Sequence, residues 1–145
     1  MSEIIKISCD IDITEPSVPL GLEVWVDDYK FVGLECATPQ HLSIEVPNAD
    51  DGKHVLRFVM KNKTLSHTQI DATGNIVKDA VITITNLTFD EIALGHAFIE
   101  LAEYTHDFNG TRAITTDKFY GVMGCNGTLS LGFTTPIYLW LLEKM

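Results

Sequence analysis

Gly52–Lys63 reads GKHVLRFVMKNK, and His67–Ile92 reads HTQIDATGNIVKDAVITITNLTFDEI. In the first run Leu56, Phe58 and Met60 fall on every second position, the period of a strand with one buried face. The second run ends in Ala80–Ile92, which is too rich in Val, Ile and Thr for a comfortable helix. Between them, His67–Asp71 and Asn75–Asp79 predict two short strands around a polar turn. Long strands joined through short polar turns predict antiparallel pairing, and hence a β-sandwich.

Working outward, the same period returns. Ile5, Ile7, Cys9, Ile11 and Ile13 alternate with Lys6, Ser8, Asp10 and Asp12. Leu20, Leu22, Val24 and Val26 alternate again, and Asp27-Asp28 predicts a turn into Tyr29–Glu35. Leu42, Ile44 and Val46 predict a strand closed by Pro47, and Leu129, Leu131 and Phe133 mark the last one. Strand-sized segments recur about every 10 residues between turn signals, as in a sandwich or jelly roll. Leu94–Tyr104 has room for a turn or two of helix, and Thr105–Gly127 reads as loop. Pro136 opens PIYLWLLEKM, a short C-terminal helical turn with Pro at its start. No linker, low-complexity segment or repeat divides the sequence, so residues 1–145 are expected to form one all-β, antiparallel domain.

Lys and Arg number 10 against 20 Asp and Glu, a net charge of −10. Such a surface repels phosphate backbones, so nucleic acid is not an expected partner. It suits a solvated acidic face, cation binding or a basic protein partner. No apolar run reaches the roughly 18–20 residues of a membrane helix, so no membrane partner is expected. MSEIIKISCD lacks a basic stretch followed by an apolar one, which predicts a chain made in a cytoplasm and kept whole. Cys9, Cys36 and Cys125 are odd in number and form no CxxC, which argues against a disulfide framework or zinc site. Cys9 reads as a small buried hydrophobe.

The sequence has no HExxH, GxSxG, P-loop or GxGxxG, and no two histidines stand four apart, so a non-enzymatic protein is expected. His106, in THDFNG, is the histidine in the most polar and aromatic surroundings. Asp71, Asn75 and Asp79 around Gly74 carry the oxygen types that a calcium ion takes; no other cofactor is expected. The spacing is not that of an EF-hand loop, and the same residues read more simply as a hairpin turn with Asp and Asn in their usual places. Flat rings stack on sugar faces. Trp25 is out of phase with Leu22, Val24 and Val26, and Tyr29, Phe31, Phe108, Phe119 and Tyr120 lie at turns or loops. These rings read as an exposed platform, or as buried in the core or in a protein contact. Trp140, near the C-terminus, fits a protein contact. Asn-x-Thr triplets at Asn62, Asn86, Asn109 and Asn126 read as sheet composition and Asn-Gly turns.

GKHVLRFVMKN, a following Asp and GNIVKDAVITITNLTFDEI together resemble the calcium-dependent xylan-binding module pattern. There a Gly-x-His/Tyr strand ends in Asn-Asp, and a later Asp-x-Asn-Leu-x-Val-Asp run leads into a final strand. Asn62, Asn75, Val77 and Asp79 are the matching positions, and Lys63 stands where that pattern has Asp. The resemblance implies a sandwich with glycan and calcium as ligands. The whole chain, above all THDFNGT and FYGVMGCNGTLSLGFTTPIYLWLLE, also resembles small structural proteins of tailed bacteriophages built on this fold. That implies a non-enzymatic virion component (tail, baseplate or capsid decoration) assembled in the host cytoplasm. Its partners would be other virion proteins or further copies of itself, met through PIYLWLLEKM and the loops carrying Phe108, Phe119 and Tyr120. A glycan-binding module for host-surface attachment is the alternative, and a glycan-active enzyme the third reading.

Overall fold

The alternating stretches become strands. The computed structural model describes residues 3–14, 20–35, 37–49, 52–63, 68–70, 72–73, 76–106, 113–119, 121–123 and 126–144. In order they form β1 (Glu3–Ile13), β2 (Gly21–Val26), β3 (Tyr29–Leu34), β4 (Gln40–Ala49), β5 (Gly52–Lys61), β6 (Thr68–Ile70) and β7 (Ile76–Asp79). Then come β8 (Ile82–Phe89), β9 (Ile92–Ala93), α1 (His96–Leu101), β10 (Glu103–His106), β11 (Thr115–Lys118), β12 (Val122–Met123), β13 (Gly127–Thr135) and α2 (Ile137–Lys144).

Among the described residues these strands make two main antiparallel sheets, ordered β12-β8-β1-β4 and β11-β10-β13-β5-β2-β3. β9 folds back on β8, and β6 pairs with β7 apart from both sheets. The chain crosses between the sheets repeatedly: β1 lies in the first, β2 and β3 in the second, β4 in the first and β5 in the second. That winding is a β-sandwich, with the apolar faces of both sheets turned inward. Ile5, Ile7, Ile11, Ile82, Ile84 and Phe89 come from one sheet, and Leu22, Val24, Leu56, Phe58, Leu131 and Phe133 from the other; all are buried. Each such side chain stabilises the fold by about 1.5–3 kcal/mol relative to exposure.

β8 carries an irregularity that its sequence spells out. Its buried residues are Ile82, Ile84, Leu87 and Phe89, so the period of two slips by one residue in the middle. The register with β1 slips at the same place, from Asp10↔Thr85 to Ser8↔Thr88, leaving Asn86 and Leu87 opposite Cys9 alone. Asn86 takes φ 55, which Asn tolerates better than most residues. The bulge turns its amide outward, where Nδ2 donates to Asp10 Oδ2 at 2.8 Å. That bond, followed by one from His41 at 2.8 Å, holds the Asp10 carboxyl below the usual carboxylate range.

Two sequence expectations change. The region 105–127 is not simply loop, because β11 and β12 lie within it. Thr115–Lys118 has no apolar alternation because β11 is a sheet edge, held by its backbone ladder to β10. Trp140 is not at a contact surface. It is 4% exposed, and α2 buries Ile137, Trp140 and Leu141 as one face. The helix at α1 and the short C-terminal helix fall where the sequence places them. No helix among the described residues is long and apolar enough to cross a membrane.

Candidate functional site

β3 ends the order of one sheet and β4 ends the order of the other, and residues of both edges line one groove. It has a volume of ≈ 690 Å³ and is lined by Val26, Asp27, Asp28, Tyr29 and Phe31 of the β2–β3 hairpin, Glu45, Val46 and Pro47 of β4, and His54 of β5.

The hairpin is fixed through Asp27, whose φ of 52 lets a two-residue turn close. Its backbone N–H donates to the Val55 carbonyl at 2.9 Å, and its Oδ1 accepts from the Val55 N–H at 3.0 Å. Arg57 donates to its carbonyl at 3.0 Å, and Oδ2 meets His54 Nδ1 at 2.8 Å. His54 in turn places Nε2 3.2 Å from Thr135 Oγ1 and stacks on Phe133 with ring centroids 5.4 Å apart. The floor of the groove is thus bonded down on several sides, and the turn presents Asp28 and Tyr29 outward.

A second bulge supplies the aromatic wall. Val24 pairs with Val32 and Trp25 with Lys30, which leaves Phe31 as the extra residue of β3. Bulges bend a strand and re-aim a side chain. Phe31 is half-buried against the core and meets Tyr29 edge-on, with centroids 4.7 Å apart at 64°. Tyr29 itself is 66% exposed. Asp28 and Glu45 are exposed, and neither has an ion-pair partner among the described residues. Lys6 stands opposite Glu45 across the β1–β4 ladder, but its ammonium lies 3.8 Å from Glu91.

Trp25 lies on the outer face of the same hairpin, half-buried. Its Nε1 donates to Glu23 Oε1 at 3.1 Å, and the Lys30 ammonium sits 6.0 Å from its ring centroid. Lys61 at 2.6 Å, then Trp25, hold the Glu23 carboxyl below the usual carboxylate range. A shallower depression of ≈ 410 Å³, lined by Glu23, Trp25, Asp27, Asp28 and Arg57 among others, lies beside it.

The remaining sequence candidates do not converge on this site. Phe119 is a core ring, 1% exposed and 5.2 Å from Phe98 of α1, because α1 folds over the strand end that the sequence left as loop. It offers no platform or contact. Phe108, Tyr120, Asp71 and Asn75 lie outside the described residues; Asp79 ends β7, and its side chain lies outside them too. Among the described residues no group of three or more His, Cys, Asp and Glu gathers to hold a metal ion. His106 is buried, stacks on Tyr104 at 4.7 Å and places Nε2 2.8 Å from Asp117, tying β10 to β11.

Sequence reasoning reached Trp25, Tyr29 and the Asp27-Asp28 turn, and missed Glu45 and His54 as groove residues. An exposed Glu on an alternating strand is the usual outward position, and only the facing of two sheet edges gives Glu45 a role. No family model, curated protein or solved structure matches this chain.

Proposed function

We propose that this chain is a non-enzymatic structural subunit of a tailed-phage particle, acting through protein–protein contacts with the sandwich as a rigid block. The observation that supports it is the outward side of α2. Tyr138, Leu139 and Leu142 are 53%, 60% and 77% exposed, while Ile137, Trp140 and Leu141 lock the same helix onto the core. Apolar side chains presented on a rigid base suit a protein interface, because little ordering entropy is lost when they dock. The resemblance of the chain, above all THDFNGT and FYGVMGCNGTLSLGFTTPIYLWLLE, to phage structural proteins supports a partner within a virion. Quantitative mass spectrometry of purified particles tests the reading. A fixed copy number of symmetry-related size supports it, and absence of the chain from the particle sinks it.

A second reading, a glycan-binding module for host-surface attachment, is favoured by Trp25. It stands on an outward sheet face beside carboxylates and Arg57, a setting where a ring and hydrogen-bonding groups can meet a sugar. Fluorescence titration with a xylo-oligosaccharide tests it. Quenching that disappears in Trp25→Ala supports the reading, and an unchanged wild-type signal counts against it.

A further inference from the structure

The groove between the edges of β3 and β4 has a chemistry that selects its occupant. We propose that it receives an arginine side chain presented by a partner protein. This deepens the protein-contact reading and rests on it.

The groove's side chains offer acceptors: the carboxylates of Asp28 and Glu45, with that of Asp27 already committed to His54 and the Val55 N–H. His54 has its two ring nitrogens against Asp27 and Thr135, so it adds no donor directed into the groove. Among the described residues no Lys or Arg lines it. A carboxylate only accepts, and a guanidinium only donates, through five N–H groups in a fixed plane. A sugar hydroxyl both donates and accepts, and among these described side chains only the Tyr29 hydroxyl is placed to donate to it.

The rings narrow the choice further. Tyr29 is exposed and braced edge-on by Phe31, so its ring is held in place before anything binds. A guanidinium stacks on such a face and is more weakly hydrated than an ammonium, so it loses less on entering. Val26, Val46 and Pro47 supply apolar contact for the three methylenes of an arginine stem. Charge points the same way, since a protein of net charge −10 attracts a basic partner. Arginine inserted in an aromatic and acidic pocket is a recurrent anchor of protein interfaces.

The test uses the full chain and N-acetyl-arginine N-methylamide as the probe, followed by two-dimensional amide NMR. The matched citrulline derivative, which keeps the shape and loses the charge, is the control. Saturable shifts centred on Asp28, Tyr29, Phe31 and Glu45, absent with citrulline, are expected. Asp28→Asn combined with Glu45→Gln should weaken the probe at least about tenfold. Both side chains are exposed, so the fold is retained, and Tyr29→Ala at a third exposed position provides a second readout. Equal response to citrulline, shifts elsewhere or none, or displacement of the probe by a xylo-oligosaccharide would each overturn the proposal. Particle mass spectrometry separates the two readings. A chain present in particles whose groove ignores the probe defeats only this inference, whereas a chain absent from particles whose groove takes the probe defeats only the virion assignment.

Discussion

Replacing Trp140 with Ala tests how α2 is joined to the sandwich. The indole lies edge-on to Phe89 of β8, with centroids 5.6 Å apart at 85°, and 6.3 Å from Phe133 of β13. Phe89 and Phe133 are themselves 5.1 Å apart, so the three rings join one sheet, the other sheet and the helix. A buried Trp removes about 150–250 Å² from water. At about 25 cal/mol per Å² this is worth about 4–6 kcal/mol, an upper bound because unfolded chains already bury some surface. Measured Trp→Ala losses of about 3–5 kcal/mol agree with it. The expected loss for Trp140→Ala is therefore about 3–5 kcal/mol, a large part of the roughly 5–15 kcal/mol that holds a domain folded. Urea unfolding followed by far-ultraviolet circular dichroism measures it without relying on the deleted fluorophore. Leu142→Ser, at a position 77% exposed, is the control and should stay within about 0.5 kcal/mol of wild type. A Trp140→Ala loss below about 1 kcal/mol would contradict this and mean that α2 is only laid against the sheets.

Further expectations follow from single contacts. Asp10 and Glu23 both have carboxyls held below their ordinary range, so their contribution is full above about pH 4–5 and is lost as pH falls through the lowered values. The urea midpoint should therefore drop between pH 7 and pH 3, and drop less in Glu23→Gln; an equal drop in that variant would contradict the assignment. Burial, then the neighbouring Asp10, pushes the Cys9 thiol up to about 12, so iodoacetamide at pH 8 should spare it in the native chain and label it after denaturation. Labelling at the same rate in both states would contradict that. A Cβ on Gly127 would strike the Thr105 carbonyl oxygen and come 2.9 Å from His106 Cβ, whereas one on Gly132 would meet nothing nearer than 3.9 Å. Gly127→Ala should cost about 1–3 kcal/mol and Gly132→Ala much less, with the reverse order in thermal melts counting against the packing described.

Period-two alternation made the sheets legible, because a strand with one inward face must repeat every second residue. Even the bulge in β8 is written in the spacing of Ile82, Ile84, Leu87 and Phe89. β11 was illegible because an edge strand can be held by its backbone ladder and polar side-chain bonds, leaving Thr115–Lys118 free to be polar. The burial of Trp140 was harder to read because IYLWLL is apolar all round. Phe89, from a distant part of the chain, and Phe133, on the strand just before the helix, decide which side faces inward. The groove is further still from local pattern. It needs Tyr29 on one sheet edge, Glu45 on the other, and an extra residue at Phe31, none of which any single segment encodes.

β13, near the C-terminus, lies between β10 and β5 in the interior of its sheet. On a ribosome adding about 5–20 residues per second, it is made after the other described strands of the sandwich. Until it emerges, β5 has a ladder on one side only and Leu56, Phe58 and Met60 lack the neighbouring strand's apolar residues. The sandwich therefore closes only after β13 has been synthesised. A nascent chain stalled before Gly127 should offer an unpaired, apolar edge to chaperones or to its own kind, and premature stops there should be found in aggregates rather than in shorter folded proteins.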